Sequence, residues 1–328
     1  MISYGLIGAG IVGGKRAACL KPGQLVSVFD ADIARAENLV ATAGQGRVVS
    51  DPGEIFCDPS VDAVLVSTRH DSLASLALRA MQAGKHVLME KPAARKAAEL
   101  APLLELERKS DVRVRVGYNH RFHPALLKAR EIIDSGELGP LMFIRGRYGH
   151  GGRPGYETEW RAQPEISGGG ELIDQGVHLI DLARWFLGDF AHVHGTVAAL
   201  FWNMSVEDNA FLELKTGGGQ IAWLHASCSE WKNLFSLEIY GRAGKLQLDG
   251  LGGSYGLERL IHYRMTPAMG PPESETHEFP GADTSWQREM EAFERDIVTG
   301  TRPSPGLADA LAVLKIVDEI YSRTGRPA

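Results

Sequence analysis

The chain has 328 residues, 44% hydrophobic and 23% charged, with a formal net charge of −6, a length that suggests two domains at about 150 residues each and a composition ordinary for a globular protein. No Lys/Arg block is longer than a pair, so the basic footprint of a nucleic-acid or anionic-membrane binder is absent. Cys19, Cys57 and Cys228 form no CxxC pair and predict neither a disulfide framework nor a zinc knuckle.

The amino terminus, "MISYGLIGAGIVGGKR", has no basic residues before its apolar run and is interrupted by glycines, unlike a signal peptide. No apolar run reaches the length of a membrane span. A reducing, cytoplasmic setting is the expectation. "SYGLIGAG" reads as a short strand entering a glycine turn, and "GAGIVG" (Gly8, Gly10, Ile11, Val12, Gly13) opens a helix with its body at 14–20. "LVSVFDAD" follows as a second strand ending at Asp30. A lone GxGxxG is a weak signal; between a strand and a helix it predicts a dinucleotide site. Gly8 permits the tight turn, Gly10 lets backbone approach a pyrophosphate, and Gly13 allows helix to pack on strand. The helix N-terminus favours the phosphate charge. Asp30 would bind the ribose hydroxyls and repel a 2′-phosphate, which predicts NAD rather than NADP. Arg35, just beyond, joins the candidate cofactor set.

The alternation continues through "VDAVLVSTRHD", "SLASLALRAMQAG", "KHVLMEKP", "AARKAAELAPLLELERKS" and "VRVRVGYNH", read as strand, helix, strand, helix and strand. Such alternation predicts a doubly wound parallel sheet over residues 1–120. Ligands of these sheets lie outside the carboxyl ends of the strands, which nominates Ser67, Thr68, Arg69 and His70, then Glu90 and Lys91, then Asn119 and Arg121. Lys91 precedes Pro92, read as a helix-starting proline.

Residues 121–328 read as a second, α+β domain for substrate binding and oligomerisation, whose terminal helices can pack back on the first. "PALLKAREIIDSGELG" is a helix and "PLMFIRGRYG" a strand. "HGGRPGYETEWRAQPEISGGG" follows as a long loop carrying Tyr156, Trp160 and Arg161, a candidate lid over substrate. "GGGELIDQGVHLIDLARW" then reads as the start of a long helix on which Asp174, His178 and Asp181 recur at i, i+4 and i+7. Their stems are short, whereas a solvated stripe more often holds Lys and Glu. The stripe is either surface or the floor of a pocket. "VHGTVAALFW", "EDNAFLELKTG", "GQIAWLHASCSE" and "LFSLEIYGRAGKLQLDG" predict an open, mainly antiparallel sheet. Phe201, Trp202, Phe211 and Trp223 suggest that its outer face is also covered, by a second subunit in a homodimer or homotetramer.

Together "GLIGAGIVGGKR", "AGKHVLMEKP" and "EWRAQPEISGGGELIDQGVHLIDLARWFLG" resemble the glucose-fructose oxidoreductase, inositol dehydrogenase and MocA family, Gfo/Idh/MocA. The resemblance spans nearly the whole chain. It implies that Lys91 is the catalytic lysine of an EKP motif, that Asp174 and His178 are the acid and histidine of a D-x-G-x-H segment, and that the stripe floors an active site. "GYNHRFHPA" resembles the family's crossover segment, so Asn119, Arg121 and His123 become candidates to face the cleft; each is equally open to a structural role, and a His beside a Pro is more often a capping or packing residue. One departure stands out: many relatives carry Thr-Pro-Asn after the third strand and a His farther along, where this chain has Thr68-Arg69-His70 and Leu73.

The implied function is an NAD-dependent dehydrogenase or reductase of a secondary alcohol or ketone in a sugar, sugar derivative or cyclic polyol. His178 is then the acid/base, since an unperturbed imidazole titrates near working pH. Lys91 would stabilise the developing alkoxide, and Asp174 would bind substrate or orient the imidazole. No further ligands cluster with Asp-x-x-x-His-x-x-Asp, so no metal is expected. Two rivals remain, both found in the family: an NAD-assisted glycosidase or lyase with transient sugar oxidation, and a non-catalytic dinucleotide-sensing regulator. Retention of Lys91, Asp174 and His178 argues against the regulator, which needs the fold but not proton chemistry.

Overall fold

The computed structural model describes residues 1–324. The chain folds as two compact units, one of Met1–Tyr118 with Trp286–Leu314, the other of Asn119–Ser285 with the residues from Lys315 on.

The first unit alternates β1 (Tyr4–Ile7), α1 (Ile11–Ala18), β2 (Leu25–Phe29), α2 (Ile33–Ala43), β3 (Arg47–Val48), α3 (Pro52–Cys57), β4 (Ala63–Val66), α4 (His70–Gln82), β5 (His86–Glu90), α5 (Ala101–Lys109) and β6 (Val114–Gly117). Its six strands lie in the order β3-β2-β1-β4-β5-β6, every pairing parallel. A parallel sheet is covered on both faces, so its strands carry continuous apolar runs; β1 and β4 are buried at every position. Strand order reverses between β1 and β4, and the crevice at their carboxyl ends is where such sheets take ligands. Met290 and Phe293 pack into the same core as Tyr4, Leu6, Val28 and Leu65, which is why residues 286–314 belong to this unit.

Two expectations change here. The α1 helix starts at Ile11, directly after Gly10, and ends at Ala18. Pro92 does not start a helix: Ala93, directly after it, has φ 75°, a left-handed backbone that cannot begin a right-handed helix. Helical structure begins with a 3-10 turn at Ala97–Leu100 and becomes α5 at Ala101, with Pro102 in its first turn, where a missing N–H costs nothing.

The second unit carries α6 (Pro124–Asp134), β7 (Leu141–Gly149), α7 (Pro164–Ser167), α8 (Val177–Leu187) and β8 to β14 (Phe190–Ala198, Asn209–Thr216, Ile221–Ser227, Leu234–Gly241, Gly244–Asp249, Glu258–Arg264 and Glu273–Phe279). The eight strands follow the order β14-β13-β12-β11-β7-β10-β9-β8, antiparallel except for the parallel β7–β10 pair. Burial alternates along β9, the signature of a sheet packed on one face. Phe211 and Trp223 stand on the other, 42% and 63% exposed. Phe201 and Trp202 are not strand residues. The Asp208 carboxylate accepts the N–H groups of Leu200, Phe201 and Trp202, which takes that segment out of the ladder after Ala198. Among the described residues no helix is long and apolar enough to cross a membrane.

The stripe-bearing helix is not continuous from Gly168. Leu172–Gly176 form a π turn, and α8 begins at Val177. Fully buried Glu207 explains the start. Its Oε1 accepts the N–H groups of Gly170 and Leu172 and the Tyr321 hydroxyl, the last at 2.6 Å, so a buried carboxylate satisfies donors that a helix start otherwise leaves open. A Cβ at Gly170 would sit 1.9 Å from the Glu207 carbonyl oxygen; only glycine allows this approach.

Candidate active site

The glycine turn of the first unit is shaped from within at two positions and left open at a third. Gly8 has φ +99°, and a Cβ there would meet the Ser67 carbonyl at 2.4 Å; a Cβ on Gly13 would lie 1.9 Å from the Gly8 carbonyl. At Gly10 a Cβ would meet nothing within 4 Å. Gly10 is also the N-cap of α1, without a side-chain cap, so the first-turn N–H groups of Ile11 and Val12 are offered outward beside open space. That arrangement fits a pyrophosphate. Asp30 leaves β2 and closes the turn: Oδ2 accepts the Ala9 N–H at 2.7 Å and Oδ1 the Asp32 N–H at 2.9 Å. A carboxylate has about four acceptor positions, so two remain for ribose hydroxyls. Exposed Arg35 pairs with Asp32 at 3.3 Å.

Beyond β4, the Ser67 Oγ is buried and makes no hydrogen bond among the described residues, a polar group consistent with a ligand beside Gly8. Thr68 Oγ1 accepts from Ser72 Oγ at 2.9 Å. Arg69 is the N-cap of α4 and reaches Asp71 at 3.4 Å, while His70, first residue of α4, is buried.

At the end of β5, Glu90 is committed inward. Its Oε1 accepts from Arg16 Nε at 2.9 Å and Nη2 at 2.6 Å. Arg16 is wholly buried, its Nη1 2.6 Å from Glu289 Oε2 and its guanidinium 4.5 Å from the Trp286 ring centroid. Burial raises the Glu289 carboxyl above its ordinary range, against the pull of Arg16. One guanidinium between two carboxylates thus anchors the strand end that presents half-buried Lys91. Arg16 and Glu289 carried no sequence signal, because their partners lie far off along the chain.

In the second unit the stripe turns inward: Asp174, His178 and Asp181 are all buried. The three then differ. Asp181 receives a two-pronged pair from Arg121, Nε at 2.8 Å and Nη2 at 2.6 Å. Asp174 Oδ2 accepts from Arg161 Nε at 3.0 Å, and Arg161 lies over the Trp160 ring at 4.5 Å. His178 lies flat on the imidazole of His120, ring centroids 3.8 Å apart and planes 18° from parallel, with Tyr148 edge-on at 5.9 Å. His120 and Tyr148 escaped sequence reading, since no periodicity links a residue at 120 with one at 178.

The remaining candidates are also placed. Asn119 Nδ2 donates to Ser285 Oγ at 2.8 Å. His123 Nδ1 lies 2.9 Å from Glu258 Oε2, whose other oxygen accepts the Ala125 N–H at the start of α6, so His123 packs at that helix start. The loop read as a lid is tied down by short 3-10 turns. Tyr156 is 3% exposed and donates to Glu171 Oε1 at 2.9 Å. Burial, then Glu171, push its phenol far above the ordinary range, so it stays a neutral donor.

A family model described as an oxidoreductase family with an NAD-binding Rossmann fold matches residues 2–118, and a GFO/IDH/MocA C-terminal domain matches residues 126–247. Inositol 2-dehydrogenase 2 of Saccharopolyspora erythraea is 31% identical over 226 residues, 66% of this chain and 64% of its own length, so the match spans just under two thirds of that relative. Inositol 2-dehydrogenase of Rubrobacter xylanophilus is 30% identical over 268 residues, 77% of this chain and 73% of its own. A solved levoglucosan dehydrogenase in complex with NADH and levoglucosan superposes with a TM-score of 0.89 at 23% identity, covering 99% of this chain and 97% of that one; at that identity the likeness speaks for the fold.

Proposed function

The chain belongs to the Gfo/Idh/MocA family of NAD-binding oxidoreductases, and on that premise we propose that it moves a hydride between NAD and a secondary alcohol or ketone of a sugar, sugar derivative or cyclic polyol. The observation that carries this reading is His178, a buried imidazole one helical turn from a carboxylate already matched by Arg161. The names of the relatives at 30% identity and above, inositol 2-dehydrogenases, support the substrate class. NAD bound at the glycine turn, held by the N–H groups after Gly10 and by Asp30, supplies the hydride acceptor or donor.

In oxidation, neutral His178 takes the alcohol proton at a ring nitrogen; in reduction the imidazolium returns it. Lys91 Nζ stabilises the oxygen as negative charge grows on it, where a fixed cation is worth most. Asp174, one oxygen held by Arg161 and one helical turn from His178, binds a substrate hydroxyl or orients the imidazole. With both charges of that pair matched, the imidazole is left as the group whose protonation changes in turnover. We further assign the open face of the second sheet, with Phe211 and Trp223, to subunit contact in a homodimer or homotetramer.

The test is a screen of NAD⁺ reduction against inositols, aldoses, uronic acids and nucleotide sugars, following net NADH. Accumulation with a member of these classes supports the reading. Turnover of a sugar without net NADH would replace it with transient oxidation on a retained cofactor.

A further inference from the structure

Resting on the assignment of the open sheet face to subunit contact, we infer that a second copy of this chain docks there about a two-fold axis running along β10, so that Glu213 of each copy meets the partner's Arg145. The strands β9, β10 and β7 lie side by side in this face. Their registers set the outward side chains in three cross-strand rows, Lys215–Ile221–Phe143, Glu213–Trp223–Arg145 and Phe211–His225–Arg147. On β10, Ile221 is 39% and Trp223 63% exposed. The permanent charges stand only on the flanking strands.

A closed dimer meets itself through one self-complementary patch. When two sheets pack face to face, the two-fold lies in the plane between them, and one along β10 lays β7 of each copy over β9 of the other. Row by row, Lys215 then meets the partner's Phe143, Glu213 the partner's Arg145, and Phe211 the partner's Arg147. One of these is an ion pair and the other two put a cation on an aromatic face. The next strands keep the rule. Glu238 of β11 extends the row on the Arg145 side and His194 of β8 on the Glu213 side, so Glu238 meets the partner's His194. An axis along β7 instead would oppose each Arg145 and Arg147 to its own copy, and one along β9 each Glu213 and Lys215, and opposed like charges reject a partner. Packed sheets cross at about 30°; one strand spacing, about 4.8 Å, from the axis, that displaces the Glu213–Arg145 pairs by only about 2.5 Å.

The side chains on this face are poised for such a partner. Glu213, Lys215 and Arg147 have no ionic partner among the described residues. Arg145 lies 2.7 Å from Glu238 yet keeps its side chain 48% exposed. The face is also notched: a hollow of about 340 Å³ is lined by Trp223, Phe211, His225, Arg147 and Glu238. The partner's Trp223, carried on the axis beside this hollow, is the knob that fills it, as a Trp seated in a pocket commonly anchors an interface.

Glu213→Arg and Arg145→Glu are each made in the full chain, and light scattering reads the assembly of each alone, of their equimolar mixture and of the double variant. Because the two-fold repeats the pair, each single reversal acts twice and should raise the Kd of this contact at least about 10²-fold, taking a dimer to monomers or a tetramer to dimers. In the mixture every reversed charge meets its opposite again. Wild-type assembly should therefore return there, as in the double variant; misfolded chains would not regain it on mixing. An Arg145→Glu variant that assembles like wild type, or single variants that stay apart when mixed, overturn the proposed axis. Trp223→Asp decides the parent assignment separately. If it dissociates the assembly while the charge variants do not complement each other, the face is a subunit contact about another axis; if it leaves the assembly intact, the face is not the contact and both readings fall.

Discussion

Asp181 lies on the same stripe as Asp174 and His178 but holds Arg121, and Asp181→Asn separates scaffold from chemistry. The amide keeps the shape and one acceptor oxygen while removing the charge opposite a guanidinium whose side chain is 5% exposed. Two charge-assisted hydrogen bonds, at 2.8 and 2.6 Å, are weakened together. Breaking a buried pair from one side costs about 3–5 kcal/mol, because the surviving ion stays out of water and loses the charge that faced it. For a unit of this size each kcal/mol lowers the melting midpoint by about 2–4 °C, so a drop of about 6–20 °C is expected. Thermal and urea unfolding would measure it, with kcat determined on protein kept well below the new midpoint. There kcat should stay within about threefold of wild type, since surface and scaffold changes leave the transition state alone unless they move the reacting groups. Replacing both partners, Arg121→Met with Asp181→Leu, should recover much of the lost stability, as apolar replacements of buried pairs generally do. A midpoint unchanged within about 1 °C together with a 10²-fold fall in kcat would refute this division of the stripe and put Asp181 in the chemistry.

His178→Ala should show the opposite pattern, lowering kcat by roughly 10²–10⁴ with little change in NAD affinity; Lys91→Ala should also cripple turnover. If both act on one alkoxide, the double variant loses far less than the product of the single losses, and multiplicative losses would contradict that coupling. Asp30→Ser should narrow a preference for NAD⁺ over NADP⁺, by weakening the ribose contact and removing a charge that repels a 2′-phosphate; equal or better kcat/KM with NADP⁺ in wild type would sink the assignment. Light scattering should report a dimer or tetramer, and Trp223→Asp should dissociate it; a monomer at working concentrations would leave that sheet face without its proposed cover.

What could be read in advance was set locally. The glycine turn was legible because its constraints operate over a few residues: Gly13 must meet the Gly8 carbonyl whatever the rest of the chain does. The parallel strands were legible because burial on both faces forces uninterrupted apolar runs. Asp174 and His178 stood out as short polar side chains on an apolar helix, though their role came from family resemblance. Two of the misreadings share one origin, a distant group overriding a local preference. The apolar period after Gly170 reads as an unbroken helix, yet Glu207, some 35 residues on, takes the Gly170 and Leu172 N–H groups where a π turn opens it. The aromatic run at 200–202 reads as strand, yet the Asp208 carboxylate gathers its N–H groups into a loop. In both cases a buried acid competes with the regular backbone ladder and prevails, because a carboxylate kept from water must collect donors wherever the fold brings them. The same logic hid the groups that support the site. Arg16 and Glu289, His120 and His178, Arg121 and Asp181 each meet across tens or hundreds of residues, and no period in a sequence encodes such a meeting. A buried acidic pair at the head of a strand can therefore interrupt regular structure earlier in the chain; here adjacent Glu207 and Asp208 draw N–H groups from a helix start and from the end of a strand.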